Sequence, residues 1–276
     1  MYEELFVTPT TEKEALERLI KVVEVLRSPG GCPWDREQTH ESLRRGMIEE
    51  SYEVIQAIEN KDLENLNEEL GDVLLQVVMH AQIAKETGEF TIVDIANAES
   101  EKMIRRHPHV FAKNIEKSSN SDVVSVDNVL DLWENIKRDE HEVVSVTESM
   151  NKVPRHLPAL LRSEKVQKKA RRAGFDWEDA SGAFDKVDEE AAELREAFTE
   201  GDREHMKEEL GDLLFAVTNI ARFLDIDPED ALNSTTNKFI KRFSYVEEGA
   251  AKAGRKLEDM TLAEMDVLWE EAKTKE

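Results

Sequence analysis

"EESYEVIQAIENKDLENLNEELGD" (residues 49–72) recurs in closely similar form at residues 189–212 as "EEAAELREAFTEGDREHMKEELGD". In both copies, apolar residues recur with helical spacing on either side of a short polar turn. This pattern predicts two helices that pack as an antiparallel hairpin. The copies are offset by 140 residues throughout, so the chain holds two copies of one helical unit.

The rest of the chain also follows a helical period, and strand-like alternation is scarce. We therefore predict an all-α fold, a tandem repeat of two helical-bundle domains. Helices are predicted at residues 41–58, 94–106 and 126–138. A further helix is predicted to start at Asp62, which would be its N-cap. The segment 141–158 breaks the pattern and contains two prolines, so it is the predicted linker. The predicted domains are then residues 1–140 and 159–276.

Composition excludes several classes of function. The net charge of −24 over 276 residues repels nucleic acid and anionic membranes, so neither is expected as a partner. The single Cys32 cannot form an internal disulfide, and this fits a reducing compartment. No apolar run reaches the roughly 18 residues that span a bilayer, and no signal peptide is evident. We expect a cytoplasmic protein.

The hairpin carries acids in a fixed arrangement. An E-x-x-E pair lies on its first helix, and an E-x-x-D pair begins sixteen residues after the second Glu. Residues three apart share a helix face, so antiparallel packing can gather all four carboxylates. Such a cluster suits Mg²⁺, with Mn²⁺ as a substitute, because its donors are all oxygen. The alternative is a set of cross-helix salt bridges to Lys or Arg. The predicted metal ligands are Glu50, Glu53, Glu69 and Asp72 in the first copy, and Glu190, Glu193, Glu209 and Asp212 in the second.

The residues between the paired acids carry a packing prediction. Leu70 and Leu210 are expected to point into the core. Gly71 and Gly211 are expected to leave room for a close approach of the helices.

Cations and aromatics that can serve a phosphorylated ligand also occur in both copies. A Lys and an Arg four positions apart share a helix face and can clamp phosphate oxygens, although they can equally be surface cations. A Trp follows in each copy; it can stack on a base or pack in the core. These residues are Lys102, Arg106 and Trp133 in the first copy, and Lys238, Arg242 and Trp269 in the second. Together with metals they predict a nucleotide polyphosphate site.

The tandem carboxylate pattern, with "GGCPWD", "RRHPHVF", "GFDW", "EELGDLLFA" and "KFIKRF", resembles the MazG family. These are two-domain nucleoside triphosphate pyrophosphohydrolases of the all-α NTP pyrophosphatase superfamily, and the similarity covers residues 16–273. The resemblance implies an intertwined homodimer and Mg²⁺ dependence. It also implies hydrolysis of NTPs and dNTPs to the monophosphate and diphosphate with broad base specificity, in nucleotide-pool clearance.

The resemblance further implies that the second copy carries the main activity. Its metal ligands would be the second carboxylate set, and Glu189 or Glu193 would accept the proton of the attacking water. Its nucleotide contacts would be Lys186, Glu189, Glu190, Lys238, Arg242 and Trp269. Two alternatives remain: a narrower pyrophosphatase of the dUTP or phosphoribosyl-ATP type, and a nucleotide- and metal-binding regulator in which one copy has no turnover.

Overall fold

The computed structural model describes residues 2–111 and 145–275, and the chain divides into two compact units, Met1–Lys137 and Arg138–Glu276. All regular structure within the described ranges is helical, and this confirms the predicted all-α class. None of the helices in those ranges combines the length and hydropathy that a bilayer crossing requires. The predicted helix 126–138 and Trp133 lie outside the described residues.

The first unit is built around a hairpin of two long helices. Its helices are α1 (Glu12–Arg27), α2 (Pro33–Glu37), α3 (His40–Asn60), α4 (Leu63–Thr87), α5 (Ile92–Arg106) and α6 (Pro108–Phe111). Helices α3 and α4 pack along each other, and α1 closes one side of α4. The core consists of Val23 from α1, Leu43 from α3, and Val78, Met79 and Ile83 from α4.

The turn between α3 and α4 is two residues long and has a clear local cause. Lys61 ends α3 in the left-handed conformation (φ 56°), so the chain reverses at once. Asp62 then caps α4, and its side chain accepts a hydrogen bond from the Asn65 backbone N–H at 3.1 Å. The N-cap predicted at Asp62 is therefore confirmed, and the tight turn holds the two helices antiparallel.

The second unit repeats the hairpin. Its helices are α7 (Val146–Asn151), α8 (Ala159–Arg172), α9 (Ala180–Glu200), α10 (Arg203–Phe223), α11 (Pro228–Lys252) and α12 (Leu262–Lys273). Gly201 takes the left-handed position (φ 76°) that Lys61 occupies in the first unit. Asp202 caps α10 by accepting from the backbone N–H groups of Glu204 and His205. Helices α9 and α10 therefore form the same antiparallel pair as α3 and α4.

The predicted linker contains regular structure in its described part. Helix α7 (Val146–Asn151) lies within it and packs on α8, where Lys169 Nζ donates to Ser149 Oγ at 2.6 Å. Val153, just beyond α7, is buried. Residues 145–153 therefore belong to the packing of the second unit.

The structure does not place the residues between the paired acids as expected. Leu70 and Leu210 are 51% and 48% exposed, so the prediction that they point into the core is wrong. A Cβ added at Gly71 or Gly211 would meet nothing within 4 Å, so neither glycine marks a close helix contact within the chain. The reason is rotation about the helix axis: with the acids turned toward the neighbouring helix, the Leu-Gly step turns outward.

Candidate metal centre

The first hairpin brings three of its four predicted ligands together. Carboxylate oxygens of Glu50 from α3 and of Glu69 and Asp72 from α4 lie within 4.8 Å of one another. All three residues are half-buried. Glu53, one turn along α3, is exposed and lies outside this trio, but it is close enough to Glu69 to perturb its ionisation. The first copy thus presents a carboxylate cluster at the margin of its core.

The second hairpin forms an equivalent trio with a different membership. Oxygens of Glu190 and Glu193 from α9 and of Glu209 from α10 lie within 4.8 Å of one another. Glu190 and Glu209 are buried, and Glu193 is exposed. The fourth predicted ligand, Asp212, is exposed and is not part of the trio. Sequence spacing identified the helix face, and the structure shows which carboxylates on that face converge.

Both clusters carry the electrostatic signature of crowded anions. Loss of solvation, followed by the charges of Asp72 and Glu53, raises the pKa of Glu50. Loss of solvation and then Glu53 raise the pKa of Glu69. In the second copy, loss of solvation and the charges of Glu190 and Glu209 raise the pKa of Glu193. Glu50, Glu69 and Glu193 are therefore held where the ionised form is disfavoured unless a cation is near.

The second cluster has cationic or basic neighbours that come from its own helices. Lys186 Nζ lies 2.5 Å from Glu190 Oε1 and 2.9 Å from Glu189 Oε1, and these contacts raise the pKa of Lys186. His205 Nε2 lies 3.1 Å from Glu209 Oε1. The sequence analysis missed His205, although its position four residues before Glu209 places both on one helix face.

The donor set fits a hard divalent cation. Every member of each trio offers a carboxylate oxygen, which is the ligand type that Mg²⁺ and Mn²⁺ prefer. In the second cluster, Glu209 Oε2 is buried and has no hydrogen-bond partner. A buried, unpartnered carboxylate oxygen is costly, and a metal ion bound beside it would remove that cost. Glu190, Glu193 and Glu209 are therefore suited to hold such an ion.

The predicted nucleotide contacts on the second unit occupy other helices. Arg242 on α11 lies with its guanidinium 5.8 Å from the Trp269 ring centre on α12. The Phe239 ring is 5.0 Å from the same ring, so Trp269 is flanked by a cation and an aromatic. Lys238, one turn before Arg242, is exposed. Trp269 is packed within its unit and is half-buried, so the structure leaves part of its surface accessible.

The corresponding cations of the first unit are placed differently from each other. Arg106, at the end of α5, is buried. Lys102, one turn earlier, forms an ion pair with Glu99 on the same helix. The two side chains that were predicted to act as a clamp therefore differ in exposure.

Fold and site together define an all-α tandem-repeat protein with one carboxylate-bearing helical hairpin per copy. Comparison with known proteins shows to which family this chain belongs. The model of the MazG nucleotide pyrophosphohydrolase domain matches residues 38–111 and residues 170–246, which cover both hairpins.

Curated relatives agree with this match. The chain is 45% identical to the nucleoside triphosphate pyrophosphohydrolase/pyrophosphatase MazG of Thermotoga maritima, over 93% of this chain and 95% of that protein. It is 41% identical to the nucleoside triphosphate pyrophosphohydrolase of Escherichia coli K12, over 95% of this chain and 98% of that one. It also matches YabN of Bacillus subtilis, an uncharacterized protein, at 47% identity over 99% of this chain and 55% of YabN. The chain belongs to the MazG family and is a nucleotide pyrophosphohydrolase.

Proposed function

We propose that the chain hydrolyses nucleoside triphosphates, both ribo and deoxyribo, to the monophosphate and diphosphate in a Mg²⁺-dependent reaction with broad base specificity. The second copy would carry the main activity, and nucleotide-pool clearance would be the role. The observation that carries this proposal is the trio of Glu190, Glu193 and Glu209, in which one buried oxygen has no partner. The names of the two relatives that the chain covers almost completely support the substrate class.

In this proposal, the residues of the second copy have separate roles in the reaction. The water oxygen bonds to the α-phosphorus, the bond from that phosphorus to the αβ-bridging oxygen breaks, and diphosphate leaves with the electron pair. Glu193 or Glu189 accepts the proton of the water. Glu190, Glu193, Glu209 and Asp212 would hold Mg²⁺, which would supply neutralisation of the phosphate charge.

The remaining residues bind and orient the nucleotide. Lys186, Lys238 and Arg242 provide cations for the phosphate oxygens, as ammonium and guanidinium groups commonly do. Trp269 offers a ring face to the base. Stacking does not distinguish one base from another, so this arrangement favours a broad range of nucleotides.

A nucleotide panel tests the breadth of specificity. With Mg²⁺ present, we expect the common ribo- and deoxyribonucleoside triphosphates to be hydrolysed at rates within about tenfold of one another, because stacking does not select one base. A site that hydrogen-bonds one base would instead reject the others by about 10⁴-fold. Removal of Mg²⁺ by EDTA is expected to abolish the activity, and added Mn²⁺ to restore it. Turnover of dUTP alone, or of phosphoribosyl-ATP alone, would instead assign one of the narrower pyrophosphatases.

We also propose a homodimer, in which another molecule of this chain covers α11. Residues 231–240 of this helix are all exposed, including Leu232, Phe239 and Ile240. Phe239 contacts Trp269 on α12, but all three side chains remain more than half exposed, and an exposed apolar surface of this kind usually marks a protein interface. The buried apolar residues of α9, α10 and α12 are alanines, so the larger apolar side chains of these three helices are not fully buried within the unit.

Light scattering after size-exclusion chromatography tests the dimer. The unaltered protein is expected to have twice the mass of a single chain. Ile240→Glu is expected to reduce the measured mass to that of a single chain, because it places a charge in an apolar interface. Leu262→Glu, at an 80% exposed leucine on α12, serves as the control that leaves the mass unchanged. A monomer mass for the unaltered chain would reject the dimer.

A further inference from the structure

The two carboxylate clusters differ in the basic side chains that contact them. In the second copy, Lys186 contacts Glu190 and Glu189, and His205 contacts Glu209. The positions 140 residues earlier hold Gly46 and Asn65, which carry no charge. All four predicted acidic ligands are nevertheless identical in the two copies. The copies therefore share their metal-binding donors but not their counterions.

In the first copy, a side chain at position 46 would require the end of Gln76 to shift. A Cβ added at Gly46 would lie 2.8 Å from Nε2 of Gln76 on α4. The second copy has Ala216 where the first has Gln76, so room exists there for the stem of Lys186. In the first copy, Glu49 pairs instead with Arg45 one turn back on α3, at 2.7 Å on the exposed surface. The two copies thus differ at two facing positions: the first has Gly46 and Gln76, and the second has Lys186 and Ala216.

We propose that Lys186 is a resident counterion of the second cluster, which a divalent cation must displace and which then pairs with the triphosphate. This inference rests on the proposed function. A Lys ammonium and a divalent cation compete for the same oxygens of Glu190. The flexible four-carbon stem of lysine lets the ammonium leave one anion for another without movement of the backbone.

The exchange couples two ligands at one site. A divalent cation that binds alone breaks the Lys186 ion pairs and leaves the ammonium without an anion. Cation and triphosphate that bind together replace those ion pairs with contacts to phosphate, so each ligand strengthens the binding of the other. Among residues 2–111 and 145–275, no lysine or arginine forms an ion pair with the first cluster, so its affinity for a divalent cation is expected to be independent of nucleotide. The second copy is therefore the one in which the metal site is coupled to substrate.

Mn²⁺ binding to the full chain tests this proposal without turnover. Electron paramagnetic resonance counts free Mn²⁺, and a Glu69→Gln background weakens the first cluster, because Glu69 is one of its three converging carboxylates, so that the second cluster is measured. In that background, Lys186→Met is expected to tighten Mn²⁺ binding about tenfold when nucleotide is absent, because a charge-assisted contact no longer competes. It is also expected to reduce the enhancement of Mn²⁺ binding by α,β-methylene-ATP, which in coupled sites is about 5- to 150-fold, to about twofold or less.

Two further variants separate the exchange from simpler explanations. Lys207→Met removes the same charge from an exposed position on α10 and is expected to leave Mn²⁺ affinity unchanged. The double variant Gly46→Lys/Gln76→Ala transfers the second copy's pair to the first, and in a Glu193→Gln background it is expected to weaken Mn²⁺ binding there about tenfold.

Mn²⁺ affinity that is unchanged or weaker in Lys186→Met would overturn the proposal, as would equal tightening by Lys207→Met. Either result would leave the proposed function standing, because that function requires only that the second cluster binds metal. If Glu193→Gln removed no Mn²⁺ binding at all, the proposed function itself would fail.

Discussion

Glu193→Gln is expected to lower the rate of diphosphate release by about a thousandfold, which corresponds to losing several kcal/mol of charge stabilisation at the reacting phosphate. Glutamine keeps the shape of the side chain but removes its charge and its ability to accept a proton. Glu193 belongs to the second cluster, where its oxygens meet those of Glu190 and Glu209. Both its role toward the metal and its role as proton acceptor would therefore be lost.

Glu53→Gln is the matched control for this prediction, because it makes the same change at the equivalent position of the first copy. It is expected to retain most of the activity, since Gly46 occupies the position at which the second cluster has Lys186. The measurement is diphosphate release from ATP with saturating Mg²⁺. Full activity in Glu193→Gln, together with loss in Glu53→Gln, would transfer the activity to the first copy.

Asp176→Ala is expected to destabilise the chain by about 3–5 kcal/mol, because it leaves a buried cation unpaired. Its partner is Arg222 on α10, whose side chain is only 2% exposed. Asp176 Oδ2 accepts from Arg222 Nη1 at 2.9 Å, and Oδ1 accepts from Nη2 at 2.5 Å. Arg222 Nε also donates to Asn219 Oδ1 at 2.7 Å, so the guanidinium is held in a single orientation.

Urea denaturation followed by circular dichroism measures this change. Glu17→Ala is the control, because its ion pair with Lys13 is exposed on both sides and such pairs contribute little, at most about 1 kcal/mol. A loss below about 1 kcal/mol for Asp176→Ala would show that Arg222 finds solvent or another anion when its partner is removed.

Local rules predicted much of the fold. The helix predicted at residues 41–58 is observed as His40–Asn60, and the cap at Asp62 begins α4 as expected. These features depend on residues close in sequence, namely helical spacing, a capping aspartate and a turn. The exposure of Leu70 and Leu210 could not be foreseen in this way, because the orientation of a helix about its axis depends on every element that packs against it.

The site was predictable in its chemistry but not in its pairings. The spacing of the acids indicates a shared helix face, and the structure brings three of four together in each copy. The spacing does not indicate which of the four acids lies outside the cluster, since this acid is Glu53 in the first copy and Asp212 in the second. The contact of Lys186 with Glu190 and that of His205 with Glu209 were not predictable either, because basic and acidic residues four apart are common in so charged a chain.

Phosphorus NMR of the products formed from ATP and Mg²⁺ by the intact chain tests the central claim most directly. The proposed cleavage between the α- and β-phosphorus predicts AMP and diphosphate in equal amounts, with no ADP. Release of orthophosphate with ADP would place the cleavage between the β- and γ-phosphorus and contradict the proposed reaction.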